Sequence, residues 1–250
     1  MSIDVLIGIL IPFVGTALGA ACVFFLKDQI PALVQKGLLG FASGVMVAAS
    51  VWSLLIPAIE MSEDMGRMAF VPGQWELPSA WHFYCSWTDW CRNLHLGAEK
   101  SERLPAHLKK TTMLVLAVTL HNIPEGMAVG VAFAGYLSGE GTITLAGAAA
   151  LAMGIAIQNF PEGAVISLPL RSERQSRLKA FVCGTLSGIV EPSLAFWRCW
   201  RRGAFSPCCP GCWAFAAGAM LYVVVEELIP EAHLGEHSNI GTLGLWRDFW

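Results

Sequence analysis

Thr144-Leu145-Ala146-Gly147-Ala148-Ala149-Ala150-Leu151-Ala152-Met153-Gly154-Ile155-Ala156-Ile157-Gln158-Asn159-Phe160-Pro161-Glu162-Gly163-Ala164-Val165-Ile166-Ser167-Leu168 is a run of 25 residues in which Glu162 is the sole charge. About 20 apolar residues suffice to cross a bilayer as a helix. The Ala and Gly between Leu145 and Ile157 let helix backbones approach closely in lipid, where no hydrophobic force draws helices together. Outward from this run, five more apolar windows lie at roughly 5–26, 38–59, 112–135, 178–197 and 212–230. The chain has 250 residues, 55% hydrophobic and 14% charged, with a mean hydropathy of +0.55; soluble domains carry about a quarter charged residues. These features predict an all-α, polytopic transmembrane helical bundle forming a single membrane domain over 1–250, with no room for a separate soluble domain. The net charge of −3 gives no electrostatic case for nucleic acid. Met1-Ser2-Ile3-Asp4 has no basic region ahead of its apolar stretch, so it reads as the start of a mature span and not as a cleaved signal.

Charge position sets orientation. Lys27, Lys36, Lys100, Arg103, Lys109, Lys110, Arg171, Arg174, Arg177 and Lys179, ten of the sixteen basic residues, fall in alternate loops near 27–37, 94–111 and 169–179. The other loops, near 60–68, 136–143 and 231–239, hold Arg67 beside six acidic residues. The excess of cations on the cytoplasmic side puts the N-terminus outside. That orientation demands a third span between 60–68 and 94–111, and the composition there does not supply one.

Residues 72–93, 193–213 and 243–250 break the pattern. They are about a fifth of the chain, yet hold nine of its ten Trp and six of its eight Cys, together with Arg92, Arg198, Arg201, Arg202 and Arg247. The simplest cause is a translated frameshift, twice restored and once ending the chain; a specialised Trp/Cys-rich insertion is the alternative. Cys208, Cys209 and Cys212 have C-x-x-C spacing, but one such cluster without a partner cluster does not complete a zinc or redox site. Cys22 and Cys183 lie within apolar spans and read as small packing residues.

Two kinds of repetition are present. Phe41-Ala42-Ser43-Gly44-Val45-Met46 returns as Phe215-Ala216-Ala217-Gly218-Ala219-Met220, Leu55-Ile56-Pro57 as Leu228-Ile229-Pro230, and Ile11-Pro12 is answered by Glu191-Pro192. The outer thirds are thus related halves. With two spans between them, the second copy starts in the opposite orientation, which is the inverted-repeat plan of secondary transporters. The second repeat is chemical: His121-Asn122-Ile123-Pro124-Glu125-Gly126 recurs as Gln158-Asn159-Phe160-Pro161-Glu162-Gly163, each inside an apolar span.

An acidic residue at the centre of a spanning helix costs about 2.5–3.5 kcal/mol on insertion scales, so six polar residues at that depth must line something polar. His121 and Glu125 are i and i+4, as are Gln158 and Glu162, so each pair shares a helix face, with Asn122 and Asn159 about 100° around. Pro124 and Pro161 cannot donate to the carbonyls of Leu120 and Ile157, leaving acceptors beside that face. Two such helices make a mixed nitrogen and oxygen cage for a divalent cation, whose two carboxylates neutralise one ion or bridge two. Glu191 adds a third carboxylate at membrane depth. A purely structural role, with prolines kinking helices and polar groups bonded to one another, does not account for two matched motifs plus Glu191, because buried carboxylates need a counter-charge. Glu226, Glu227, Glu231, His233 and His237 sit near a span end and read as solvated interfacial charge, with a place on the ion path as the second reading.

The paired His-Asn-x-Pro-Glu-Gly and Gln-Asn-x-Pro-Glu-Gly motifs resemble those of the ZIP (Zrt- and Irt-like) metal-ion transporters, most closely the prokaryotic GufA-like branch. The resemblance covers residues 1–71, 94–192 and 214–242. It implies eight transmembrane helices in a three, two, three arrangement, both termini outside, and a binuclear-type metal site on the fourth and fifth helices. One metal position would then use His121, Glu125, Gln158 and Glu162, and its neighbour Asn122, Glu125, Asn159, Glu162 and Glu191. His95 and His107 fall in what resembles the family's cytoplasmic histidine-bearing loop. Gln158 stands where many members have His, and Asn159 where some have Asp. The third helix does not match, the sixth is broken after Leu194, and the eighth is missing.

The expected function is therefore transport of a divalent metal ion, zinc first, into the cytoplasm, in the cell (inner) membrane of a prokaryote. The ion, zinc or another divalent transition metal, is cargo and not a catalytic cofactor. Lipid is the other partner, and a homodimer is left open. The rival readings are an intramembrane metal-dependent hydrolase, whose H-E-x-x-H signature is absent, and an inactive product of a frameshifted gene.

Overall fold

A computed structural model describes residues 2–26, 31–63, 66, 75–83, 85–86, 110–139, 143–172, 175–201, 210–232, 239 and 242. All regular structure among them is helical. Helix α1 is Ile3–Ala20, tightened into a 3-10 turn over Ala21–Phe24. Helix α2, Ala32–Ala48, passes through a π-helical stretch, Ala49–Leu55, into α3, Ile56–Glu60. Helix α4 covers 75–83. Then come α5, Lys110–Ser138, α6, Leu145–Ser172, α7, Arg177–Ser187, and α8, Val190–Trp200. Helix α9, Pro210–Val223, passes through a π-helical stretch, Val224–Leu228, into α10, Ile229–Ala232. Ile3–Phe24, Leu33–Glu60, Leu145–Arg171 and Arg177–Trp200 are long and apolar enough to cross a membrane.

All six apolar windows are helical. The window at 178–197 is two helices offset at Gly188 and Ile189, and the second runs on to Trp200, past the expected break after Leu194. Helical periodicity explains the continuation: Arg198 and Cys199 fall on the buried face, while Trp197 and Trp200 are exposed. The repeated Leu-Ile-Pro has the same structural outcome in both copies. Each π-helical stretch ends at its leucine, Leu55 or Leu228, two residues ahead of Pro57 or Pro230. A proline inside a helix has no N–H and crowds the carbonyl four residues back. Widening to i→i+5 bonding just upstream relieves both.

The polarity of the bundle is the inverse of a soluble core. Ile7, Leu10, Val14 and Leu18 of α1 and Met153, Ile157 and Phe160 of α6 are exposed, whereas Thr16, Ser43, Ser50, Asn122, Glu125, Gln158 and Asn159 are fully buried. Lipid is the solvent that suits such an outer face.

Helix directions follow from contacts. An added Cβ at Gly15 would meet Ala156 and one at Gly19 would meet Phe160, a constant offset, so α1 and α6 run parallel. Gly126 faces Glu191 and Gly130 faces Ala195, so α5 and α8 are parallel as well. Between α5 and α6, Gln158 meets Glu125 and His121 meets Glu162, which is an antiparallel register. Val45 of α2 faces Gly154, the level of Phe13 on α1, and the chain from Phe24 to Ala32 is too short to reach the start of a parallel α2, so α2 runs opposite to α1. It follows that α2 and α5 point the same way, so the end of α3 and the start of α5 lie at opposite ends of the bundle, with the segment 61–109 between them in sequence. Helix α4 lies in that segment, along α9 and in the same direction, with Glu76 beside Gly211 and Trp81 beside Tyr222. Trp213 of α9 lies against Gly135 near the end of α5, so α9 runs opposite to α5 and α2, as an inverted repeat requires.

His95, His107, Cys208, Cys209, His233, His237 and the segment 243–250 lie outside the described residues, as do the side chains of Glu227 and Glu231.

Candidate metal centre

The two motif helices stay helical through their prolines, Pro124 in α5 and Pro161 in α6. They therefore deliver their polar residues as continuous faces. His121, Glu125 and Glu162 converge, with one ligand atom from each inside a mutual span of 4.8 Å. His121 Nε2 lies 3.3 Å from Glu162 Oε1 and 3.8 Å from Glu125 Oε1. Gln158 Nε2 donates a short hydrogen bond to Glu125 Oε1. The four residues expected at one metal position thus form a single cluster across the α5–α6 interface.

The second set is held around Glu191. Asn159 Nδ2 donates to Glu191 Oε2 at 2.7 Å and to the Pro12 carbonyl at 3.3 Å. Asn122 Nδ2 instead donates to the Ser187 carbonyl at 3.2 Å. The three glutamates are no more than 7% exposed. Among the described residues, the ion-pair partner of Glu125 and Glu162 is His121 alone. Glu125 Oε2, Glu162 Oε2, Gln158 Oε1, Asn122 Oδ1 and Asn159 Oδ1 are buried and accept no hydrogen bond among those residues. Buried acceptors without donors are costly. Five of them on the two motif helices, two of the five belonging to Glu125 and Glu162, suit a dication that can be met by several oxygens at once.

Glycine brings the pieces together. The last residue of each motif is a helix-contact position: Gly126 lies against the backbone of Glu191, where a Cβ would sit 2.7 Å from Glu191 Cα, and Gly163 lies against Thr16 of α1. Each motif helix therefore has its own closely apposed neighbour, α8 for α5 and α1 for α6. Sequence reasoning missed the contribution of α1. Thr16 Oγ1 donates to Glu191 Oε1 at 3.5 Å, and the Pro12 carbonyl receives Asn159. The signal was present in the pairing of Ile11-Pro12 with Glu191-Pro192, which marks α1 and α8 as equivalent helices.

A family model described as ZIP Zinc transporter matches residues 92–245. Zinc transporter ZIP11 of Homo sapiens is 34% identical, over 92% of this chain and 89% of its own length. Zinc transporter ZIPB of Bordetella bronchiseptica is 34% identical over 95% of the chain and 75% of its own length. Zinc transporter GufA of Myxococcus xanthus is 32% identical over 98% of the chain and 94% of its own length. With its paired motifs on antiparallel helices and relatives matched along almost the whole chain, this protein belongs to the ZIP zinc transporter family.

Proposed function

We propose that the chain carries zinc, or a related divalent transition ion, across the cell membrane into the cytoplasm through the centre between α5 and α6. The observation that carries this reading is the group of three buried carboxylates, of which Glu125 and Glu162 have one imidazole, His121, as their ion-pair partner among the described residues. His121, Glu125, Gln158 and Glu162 hold one ion. Asn122, Asn159 and Glu191 extend the site toward a second, with Glu125 and Glu162 shared. Imidazole and amide groups suit zinc better than calcium, which takes all-oxygen shells. The work of the site is binding and release, not bond cleavage, and the H-E-x-x-H arrangement of a metal hydrolase is absent from the sequence. The N-terminus faces outward, by the distribution of basic loops. The test is zinc uptake in a zinc-starved host carrying the wild-type chain or its Glu125→Ala and Glu162→Ala variants, each checked for membrane expression. Uptake above the empty host that both variants lose is the expected result; wild-type flux in the variants overturns the site.

The chain is one membrane domain in this reading, and 72–93, 193–213 and 243–250 mark frame changes in its gene. The coding DNA decides that point. An alternative frame across 72–93 should hold about 20 apolar residues, and the absence of one in every frame would refute the frameshift.

A further inference from the structure

The shell around Glu191 is built by three helices, one of which carries no part of either motif. Thr16 of α1 places its single hydroxyl proton between two acceptors, the Pro12 carbonyl of its own helix and Glu191 Oε1 of α8, each 3.5 Å from Oγ1. Asn159 of α6 commits its amide nitrogen to the same two residues, Pro12 O at 3.3 Å and Glu191 Oε2 at 2.7 Å. We infer that Thr16 is a positioning residue of the transport site, whose hydroxyl holds the Glu191 carboxylate against Asn159 so that both present oxygen to the second ion position. The role rests on the α5–α6 centre being the ion site proposed above, and it adds to that site a residue of α1.

The donors and acceptors show why. An amide nitrogen only donates and an amide oxygen only accepts. With Asn159 Nδ2 bonded to Pro12 and Glu191, its Oδ1 is left on the other branch, buried and without a donor among the described residues. Asn122 is held alike on the other motif helix: Nδ2 donates to the Ser187 carbonyl at 3.2 Å, and Oδ1 is again buried without a donor among those residues. Glu191 differs from the motif carboxylates. Glu125 Oε2 and Glu162 Oε2 receive no donor among the described residues, whereas each Glu191 oxygen accepts one bond and keeps a second lone pair. Glu191 also stands within Coulombic range of both Glu125 and Glu162.

Thr16 is itself fixed. It is fully buried, and Gly188 packs against its side chain, where an added Cβ would lie 2.8 Å from Oγ1 and 3.0 Å from Cγ2. A β-branched side chain has few χ1 states to begin with. A threonine that served its own turn alone would need no contact with a carboxylate 175 residues along the chain. Hydrogen bonds to a ligating carboxylate set its orientation and are worth about 10–100-fold in metal affinity.

The test is equilibrium dialysis of zinc against the purified full chain in detergent. Thr16→Val keeps the branched shape and loses the donor; Thr16→Ser keeps the donor and loses the methyl group. The wild type should bind two zinc ions. Thr16→Val should weaken the second by about tenfold or more, and by more than the first, and Thr16→Ser should restore most of that loss. Ser43→Ala, which removes a buried hydroxyl bonded to the Leu39 carbonyl of its own helix, should change neither ion. An unchanged or tightened second ion in Thr16→Val, a loss in Thr16→Ser as large as in Thr16→Val, or a wild type that binds a single ion would overturn the proposal. Where Thr16→Val lowers the metal-free melting temperature, Thr16→Ser decides: a second ion bound as in the wild type supports the hydroxyl's role, and a lost one refutes it. A wild type that binds no zinc, or a Glu125→Gln/Glu162→Gln variant that keeps both ions, would instead refute the α5–α6 centre, and the role of Thr16 with it.

Discussion

At the scale of single residues, the carboxylates differ in what surrounds them, and their substitutions should differ accordingly. Glu125 takes the Gln158 amide and faces His121, and Glu162 faces the same imidazole. Removing one partner of a buried charge pair costs about 3–5 kcal/mol, and each 1.4 kcal/mol is about tenfold in affinity. Glu125→Ala and Glu162→Ala should therefore reduce zinc uptake by at least about a hundredfold, measured against a radioactive zinc tracer at matched expression. Asn122→Ala should cost less than tenfold, because its amide nitrogen is committed to the Ser187 carbonyl and water can replace its oxygen. An Asn122→Ala loss as large as that of Glu125→Ala would assign the amide a ligand role equal to the carboxylates. These positions were legible in the sequence because polar groups at membrane depth stand out against an apolar background. Thr16 was not, since a threonine in a spanning helix more often bonds its own turn, as Thr16 also does to Pro12.

At the scale of helices, the contact glycines decide whether the site assembles. A methyl group at Gly126 would sit 2.7 Å from Glu191 Cα and 2.8 Å from its carbonyl oxygen, both backbone atoms that cannot rotate away. Overpacking of this kind costs about 1–3 kcal/mol. Gly126→Ala should lower the melting temperature in detergent and weaken zinc binding together, because it pushes Glu191 away from Asn159. Gly147→Ala is the control. Its nearest neighbour is Thr144 Oγ1 at 3.4 Å, so both readouts should stay at wild type, followed by thermal denaturation and zinc titration. Equal effects from the two substitutions would mean that the α5–α8 contact does not set the site. Element boundaries were well read from apolar windows, since lipid imposes length. The π-helical stretches were not: the Leu-Ile-Pro repeat was visible, but its widening of the helix depends on carbonyl crowding that periodicity does not register. The helix at 75–83 was also hidden. Its Trp, Pro and charge obscure a contact face of Leu77, Ala80 and Trp81 that only the position of α9 reveals.

At the scale of the whole molecule, the parallel and antiparallel pairs fix which ends share a membrane face. The start of α1 and the end of α5 lie at one face, and the start of α5 lies at the other. Impermeant labelling of cysteines introduced at Ser2, Lys110 and Gly139 should group Ser2 with Gly139 and set Lys110 apart. Labelling of Ser2 and Lys110 from the same side would rule out a crossing by residues 61–109. The charge distribution predicts the same grouping, because cations in alternate loops encode sidedness. The pairing of α1 with α6, however, was beyond sequence periodicity. Outside the motif residues of α6 both helices are almost uniformly apolar, and which faces meet depends on small residues whose partners lie far along the chain.

That distance has a consequence for biosynthesis. Helix α1 leaves the ribosome first, yet the helix it packs along most closely is α6, offset from it by 141 residues in the pairing of Gly15 with Ala156. Translation at roughly 5–20 residues per second leaves α1 waiting on the order of 7–30 seconds, with Pro12, Gly15 and Thr16 facing lipid. Helices α5 and α8 are separated by far less chain and dock sooner. The nascent protein therefore spends its longest vulnerable interval with its first helix unpartnered, and the Glu191 shell is finished only when that helix is captured. A photo-cross-linker at Val14, beside Met153 and Ala156 in the α1–α6 groove, should label lipid or membrane chaperones in chains halted near residue 140 and α6 in completed ones. Identical labelling in both would mean that α1 is sheltered by another part of the chain while it waits.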